Sequence, residues 1–286
     1  MKYVIIDLSY FIFYRYYAVH NWWKKARKDI PLDEPIENEE FVGTFKRTFI
    51  SKMKEVNKKL HFNKNEPYKI LVAKDCPRKN IWRHDLIEAK EPDQEPDKEQ
   101  EKDTDEYKGT RNYDNFKGGP FFSLVYNSEL LKEAGITTIL YQNRLEADDC
   151  VALYIKKIRE LDASAELFII ANDHDYMQIV DNTNIFLFNL AYKNLGKHPK
   201  FYNEAGKNLF MKIVLGDKSD NIKPLFDKCG VKTAEKYFND IELFKSKLEK
   251  NEDFLKRYNH NKKMIDFNEI PEKYREKFYN INTIEI

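Results

Sequence analysis

The sequence predicts an α/β protein, with a mostly parallel central sheet flanked by helices and an α-helical region after it. Three observations carry that expectation. Short apolar runs rich in Val, Ile, Phe and Tyr recur at Tyr3–Ile6, Tyr68–Ala73, Thr137–Tyr141, Leu167–Ala171 and Ile185–Phe188. Continuous apolar runs of that length suit strands covered on both faces, as in a parallel sheet. Helical patterns stand between these runs, and after about residue 205 the strand signal stops, so helices alone should build the last third.

Taken in order, the first strand ends at Asp7, and the aromatic run Tyr10–Trp23 that follows reads as core rather than as a platform for stacking bases. Phe41–Leu60 and Phe122–Ala134 have helical periodicity. Ala147–Leu161 has it most clearly, with Val151, Tyr154, Ile155 and Ile158 on one face. Asn208–Leu215, Thr233–Phe238, Ile241–Lys250 and Asp253–Met264 read as the helices of the final region. The expected division is a domain over 1–205 and a helical region over 206–286.

The 286 residues can bury a substantial core, and 42% of them are hydrophobic, which excludes a disordered chain. The net charge of +1 conceals an uneven distribution. Glu88–Glu106 holds ten acidic and three basic residues with two prolines, and it reads as a solvated, disordered insertion. The rest of the chain keeps 46 Lys and Arg against 38 Asp and Glu, a basic body suited to a polyanion. Cys76, Cys150 and Cys229 form no CxxC pair or Cys/His cluster, so neither a disulfide framework nor a zinc site is expected. With no apolar run long enough to span a bilayer and no signal peptide, the expectation is a soluble intracellular protein that binds no membrane.

The chemistry lies in carboxylates at the ends of the apolar runs. Asp7 ends the first, and Asp75 follows the second. Glu146, Asp148 and Asp149 stand between the third and its helix, and Asp173 and Asp175 follow the fourth. The carboxyl ends of parallel strands face one crevice, so these groups should converge there, with Asp217 and Asp220 reaching in from a loop. Carboxylates packed together raise one another's pKa, a conflict that divalent cations remove. An all-oxygen donor set without Cys or a His cluster favours Mg²⁺, with Mn²⁺ able to substitute. Two such ions suit phosphodiester hydrolysis. Taken singly, Asp148 and Asp149 could be first-turn acids favoured by a helix dipole, and Asp217 and Asp220 turn residues. His174 reads as a bystander.

These segments resemble the 5′-nuclease superfamily with a PIN-like fold, which includes flap endonucleases and phage 5′-exonucleases. The resemblance rests on Ile5-Ile6-Asp7, Leu145-Glu146-Ala147-Asp148-Asp149, Ala171-Asn172-Asp173-His174-Asp175 and Gly216-Asp217-Lys218-Ser219-Asp220-Asn221-Ile222, which occur in family order. Trp82-Arg83-His84-Asp85 and Met264–Pro271 are most similar to the T-even phage ribonuclease H branch. The resemblance implies that Asp75, Glu146, Asp148 and Asp149 hold one metal ion and Asp173, Asp175, Asp217 and Asp220 the other, with Asp7 near both. In Tyr107-Lys108-Gly109-Thr110-Arg111 it implies that Lys108 contacts the scissile phosphate, Arg111 assists and Tyr107 stacks on an unpaired base. Arg83 is expected at the DNA.

Gly216–Phe238 resembles a helix–three-turn–helix, in which Gly230, Lys232, Thr233 and Lys236 would grip duplex DNA by its backbone and the loop could hold K⁺. Relatives carry Gly-Ile-Gly where this chain has Lys228-Cys229-Gly230. The acidic insertion falls where relatives build a helical arch, and an acidic arch should repel a threaded strand. What the resemblance implies is a monomeric 5′→3′ exonuclease and flap endonuclease. Its substrates would be branched or 5′-ended duplex DNA, and they would extend to RNA–DNA hybrids. It would act in viral replication and repair, with no identified protein partner. A haloacid-dehalogenase-like phosphatase would need an acid two residues after Asp7, where Ser9 stands. A non-catalytic DNA-binding relative would have no reason to retain every motif acid.

Overall fold

The computed structural model describes residues 1–63, 65–88, 107–109 and 115–284. The acidic stretch from residue 89 onward and Arg111 lie outside the described residues. Five parallel strands form one sheet: β1 (Lys2–Asp7), β2 (Tyr68–Ala73), β3 (Ile139–Leu140), β4 (Glu166–Ile170) and β5 (Ile185–Phe188), in the spatial order β3-β2-β1-β4-β5. β1 is central. It pairs Asp7 with Ala73 of β2 and Ile6 with Ile170 of β4, so the carboxyl ends of three strands come out level.

Helices cover both faces, as the doubly apolar strands require. On one face, α1 (Leu8–Ala26) buries Leu8, Phe11, Ile12, Tyr16, Val19 and Trp23. α2 (Glu39–Lys54) adds Phe41, Phe45, Phe49 and Met53, each four residues apart and so on one stripe. The short α3 (Gly119–Tyr126) joins this layer through Phe121 and Val125. The aromatic run after Asp7 is therefore core on its inner face, as its composition implied. Phe41–Leu60 and Phe122–Ala134 each break into two shorter helices, at Glu55 and near Asn127.

The opposite face is covered by α4 (Ala147–Leu161), which matches the expected bounds and buries its residues from Ala147 to Ile155 and then Ile158. The final region follows as α5 (Ala205–Leu215), α6 (Val231–Asn239), α7 (Ile241–Glu249), α8 (Glu252–Ile265) and α9 (Glu272–Ile281). Phe210, Phe226 and Phe244 pack with Val214, Leu225 and Leu248 into a small core of their own. α9, which the sequence pattern did not reveal, returns to the sheet. Phe267, Ile270, Tyr274 and Phe278 are buried in the same cluster as β1 and α4. No helix among the described residues is long and apolar enough to cross a membrane.

Phe278 is fully buried between α9 and the sheet layer. Phe278→Ala is expected to lower the unfolding free energy by about 3–5 kcal/mol, the usual cost of emptying a buried Phe site. Urea denaturation followed by circular dichroism checks this, and a loss under about 1 kcal/mol would mean that α9 is not part of the core beneath the sheet.

Candidate metal centre

β1 ends at Asp7, whose carboxylate also caps α1 by accepting from the Tyr10 N–H at 2.9 Å. The chain turns from strand to helix with no intervening loop, which fixes Asp7 at the sheet's carboxyl edge. Asp75 lies two residues beyond β2, accepting from the Ala147 N–H at 2.8 Å and from the Ser9 hydroxyl. That pairing ties β2's end to the start of α4. Asp7, Asp75, Glu146, Asp148, Asp173, Lys108 and Arg78 line one cavity of about 370 Å³. The convergence expected from strand direction is thus present for the acids of β1, β2, β4 and α4.

Glu146 is the N-cap of α4 and forms a reciprocal capping box with Asp149. Oxygens of Glu146, Asp148 and Asp149 lie within 4.8 Å of one another, and this is the group of three so found among the described residues. Their surroundings set them apart. Both Asp149 oxygens accept from Arg83, at 2.8 and 2.9 Å, and Oδ2 also accepts from the Trp82 indole at 2.9 Å. Asp149 is fully buried, so its first duty is to neutralise Arg83. Glu146 accepts from Arg83 at 3.0 Å, from Lys108 Nζ at 2.5 Å and from the Tyr107 hydroxyl at 3.0 Å. Asp148, whose Oδ1 accepts from the Asp149 N–H at 2.7 Å, makes no such ion pair among the described residues and is the least committed carboxylate of the three.

Two expectations need correction here. Arg83 was expected at the DNA, and Tyr107 stacked on a base. Arg83 is only 2% exposed, with its Nε donating to the Met264 carbonyl at 2.8 Å and its other nitrogens to Glu146 and Asp149. A guanidinium can be buried only when paired and hydrogen-bonded, and here two acids and a carbonyl meet that need. Tyr107 is 3% exposed, its ring in a small core with Cys76, Ile81 and Ile222, so no base can reach its face in this conformation. Both residues lie beside Glu146, but nothing in the motif patterns revealed that they face inward.

The remaining acids come from the other side. Asp173 caps the 3₁₀ turn after β4, accepting from the Asp175 N–H at 2.9 Å. Asp217, after α5, accepts from the Ser219 N–H at 2.8 Å and from its hydroxyl at 2.6 Å. Lys212 of α5 bridges Asp175 and Asp217, 2.7 Å from the latter. Asp220 is buried with Oδ2 3.4 Å from the Tyr107 hydroxyl, which places it beside Glu146 rather than with Asp173 and Asp175. His174 is exposed and meets the edge of Phe201, bordering a second cavity with Asp173, Lys212 and Asp217.

The electrostatics divide the acids into two kinds. Burial and the neighbouring Asp75 push Asp7 up to about 8. Burial and the Asp149 and Glu146 charges raise Asp148 well above the usual carboxylate range. Burial would also raise Glu146, but Lys108 and Arg83 overcome it and hold that acid near 2. Asp217 is likewise held near 2 against burial by Lys212. A site with raised, unpaired carboxylates beside ammonium-paired ones is short of positive charge. All-oxygen donors with no Cys or His among them fit a hard divalent cation. Ser9, Trp82, Arg78 and Lys212 are site residues that sequence reasoning missed. Only Lys212 had a visible signal, a lysine inside the apolar run Met211–Leu215.

On the outer helices, Lys232, Thr233 and Lys236 of α6 are exposed as expected and, with Lys247 of α7, line a surface hollow of about 390 Å³. Gly230 is the N-cap of α6. Lys228, where the resemblance implies a glycine, has φ 58° and so adopts the left-handed backbone that glycine would otherwise supply.

Residues 2–208 match the family model of the 5′-3′ exonuclease N-terminal resolvase-like domain. Among solved structures, the phage T5 5′-exonuclease with bound divalent zinc ions superposes with a TM-score of 0.60 at 16% identity, covering 98% of each chain. A pseudo-enzyme–product complex of the bacteriophage T5 flap endonuclease with DNA and metal ions gives a TM-score of 0.57 at 15% identity, covering 98% of this chain and 97% of that one. No curated protein sequence matches the chain.

The raised Asp7 pKa has a consequence for stability. In the metal-free protein the folded state keeps a proton that the unfolded chain releases above about pH 4, so stability is lost as pH rises toward 8. Asp7→Asn mimics the protonated acid. It is expected to raise the metal-free Tm at pH 8 and to change it far less at pH 5, as measured by differential scanning fluorimetry in EDTA. An equal effect at both pH values would contradict the assignment.

Proposed function

The chain belongs to the 5′-3′ exonuclease family marked by the N-terminal resolvase-like domain, and from that footing we propose that it is a metal-dependent 5′→3′ exonuclease and flap endonuclease that cleaves phosphodiesters near the 5′ end or junction of duplex DNA. The observation that carries the reading is the convergence of Asp7, Asp75, Glu146, Asp148 and Asp173 on one cavity at the carboxyl ends of three parallel strands, with Lys108 at its rim.

In this reading two Mg²⁺ ions, replaceable by Mn²⁺, would supply Lewis-acid activation of water and charge stabilisation when bound. Asp75, Glu146 and Asp148 would hold one, with Asp149 acting through Arg83 and the capping box. Asp173, Asp175 and Asp217 would hold the other, with Asp7 near both ions and Asp220 beside Glu146 across the Tyr107 hydroxyl. Lys108 is held by Glu146 at 2.5 Å, and its own carbonyl accepts from Arg78 at 2.8 Å. From that position its ammonium would donate to the scissile phosphate and stabilise charge developing there. Arg111 is proposed to assist on the same phosphate.

Lys232, Thr233 and Lys236, with the α6 N-terminus at Gly230, would grip duplex backbone without reading sequence, as phosphate contacts do. Lys247 extends that surface. DNA bound to the T5 flap endonuclease supports the same partner class here. A K⁺ ion in the loop before α6, action on RNA–DNA hybrids and a role in replication and repair belong to this proposal as well. The phosphatase alternative is not favoured by any observed feature, because Ser9 donates its hydroxyl to Asp75.

Incubating the chain with labelled 5′-flap and nicked duplexes, with and without Mg²⁺, tests the reading. Mg²⁺-dependent release of short 5′ products is expected. Lys108→Ala should lower kcat by about 10²–10³-fold, the usual loss of one preorganised charge-stabilising donor. Binding without metal-dependent cleavage would leave a DNA-binding module instead.

A further inference from the structure

We propose that Lys212 is an internal counter-cation of the second acid cluster, holding Asp175 and Asp217 together in the metal-free protein and competing with the divalent ion for their oxygens. This rests on the nuclease reading for the identity of the site, and it adds a residue that tunes the affinity for the second ion. Lys212 sits in the last turn of α5, between the buried Met211 and Ile213. Its side chain is 18% exposed and reaches inward, where its ammonium contacts Asp175 Oδ1 and stands 2.7 Å from Asp217 Oδ2. These two acids come from different segments, one after β4 and one after α5.

Two carboxylate oxygens that share a single ammonium are also close enough to share a single metal ion. The ammonium therefore takes the bridging position that the second cation needs, and two cations cannot occupy it together. The first cluster differs. There Arg83 is locked at 2% exposure by several hydrogen bonds and Lys108 pairs with Glu146, while Asp148 has no ion pair among the described residues. The second cluster's bridging charge is a lysine, whose four-carbon stem is free to swing. Space for that motion exists, because Lys212 borders a cavity of about 550 Å³ that opens past Asn172, His174, Phe201 and Lys218. The arrangement thus gives the two ions unequal affinities, with the second bound only as Lys212 withdraws.

Mn²⁺ binding to the full chain at pH 8, without DNA, followed by electron paramagnetic resonance, tests this. In Lys212→Met the weaker class of Mn²⁺ sites is expected to tighten by about fivefold, the value of one partly exposed ion pair. Lys212→Arg, which keeps the charge, should stay close to the native affinity. Unchanged or weaker binding in Lys212→Met would overturn the proposal. Should that variant fail to fold, the native chain carries a second arm. Reductive methylation read by peptide mass spectrometry should modify Lys212 several-fold faster in saturating Mn²⁺ than in EDTA, and an equal or slower rate in Mn²⁺ would overturn it. Neither measurement uses cleavage. A failed nuclease reading would show as absent cleavage by the native chain, and a failed counter-cation would show in the binding data with native cleavage intact.

Discussion

The structure is organised around the mutual repulsion of carboxylates that parallel strands deliver to one edge. Asp7, Asp75 and Asp173 arrive there because β1, β2 and β4 run side by side in level register. Helix α4 adds Glu146, Asp148 and Asp149 at its first turn. Like charges at such range cannot all ionise unaided. Three cations among the described residues answer that constraint: Arg83 on Glu146 and Asp149, Lys108 on Glu146, Lys212 on Asp175 and Asp217. Asp7, Asp75 and Asp148, which have no ion pair among the described residues, are the ones whose proton affinity rises. The pattern is that of a site completed by a positive ion.

The same constraint explains features of the fold remote from any substrate. Burying Arg83 requires acceptors beyond its two acids, and one of them is the Met264 carbonyl at the end of α8. The helical region is therefore tied to the acid centre through a charged side chain as well as through the apolar contacts of α9. Gln178, just after the Asp173–Asp175 turn, reinforces the tie by donating to the Ile265 carbonyl at 3.0 Å and accepting from the Phe267 N–H at 3.0 Å. The surface that would grip duplex DNA and the centre that would cleave it are thus parts of one packed body.

The strands and the acids that follow them were legible in the sequence because both depend on local pattern. Apolar runs of fixed length mark buried strands, and an acid at the end of such a run has few structural reasons to be there. Ala147–Leu161 was legible for the same reason, as a strong one-sided periodicity. α9 was not, because Glu272–Ile281 is highly charged and presents only Tyr274 and Phe278 as buried residues. The inward orientation of Arg83 and Tyr107 was also hidden. A motif fixes the neighbourhood of a side chain, while its direction depends on tertiary partners such as Met264, which lies 181 residues from Arg83. Lys212 escaped notice because a lysine in an amphipathic helix ordinarily faces solvent. Its place inside the apolar run Met211–Leu215 hinted otherwise, and the placement of Asp175 and Asp217 around it shows where the ammonium goes.

Crystals soaked in Mn²⁺ and measured at the manganese absorption edge test the central claim most directly. The account predicts anomalous density within coordinating distance of Asp148 and Glu146, and a second peak between Asp175 and Asp217 with the Lys212 ammonium displaced from it. Anomalous density at neither cluster, with all three cations still in their metal-free positions, would contradict it.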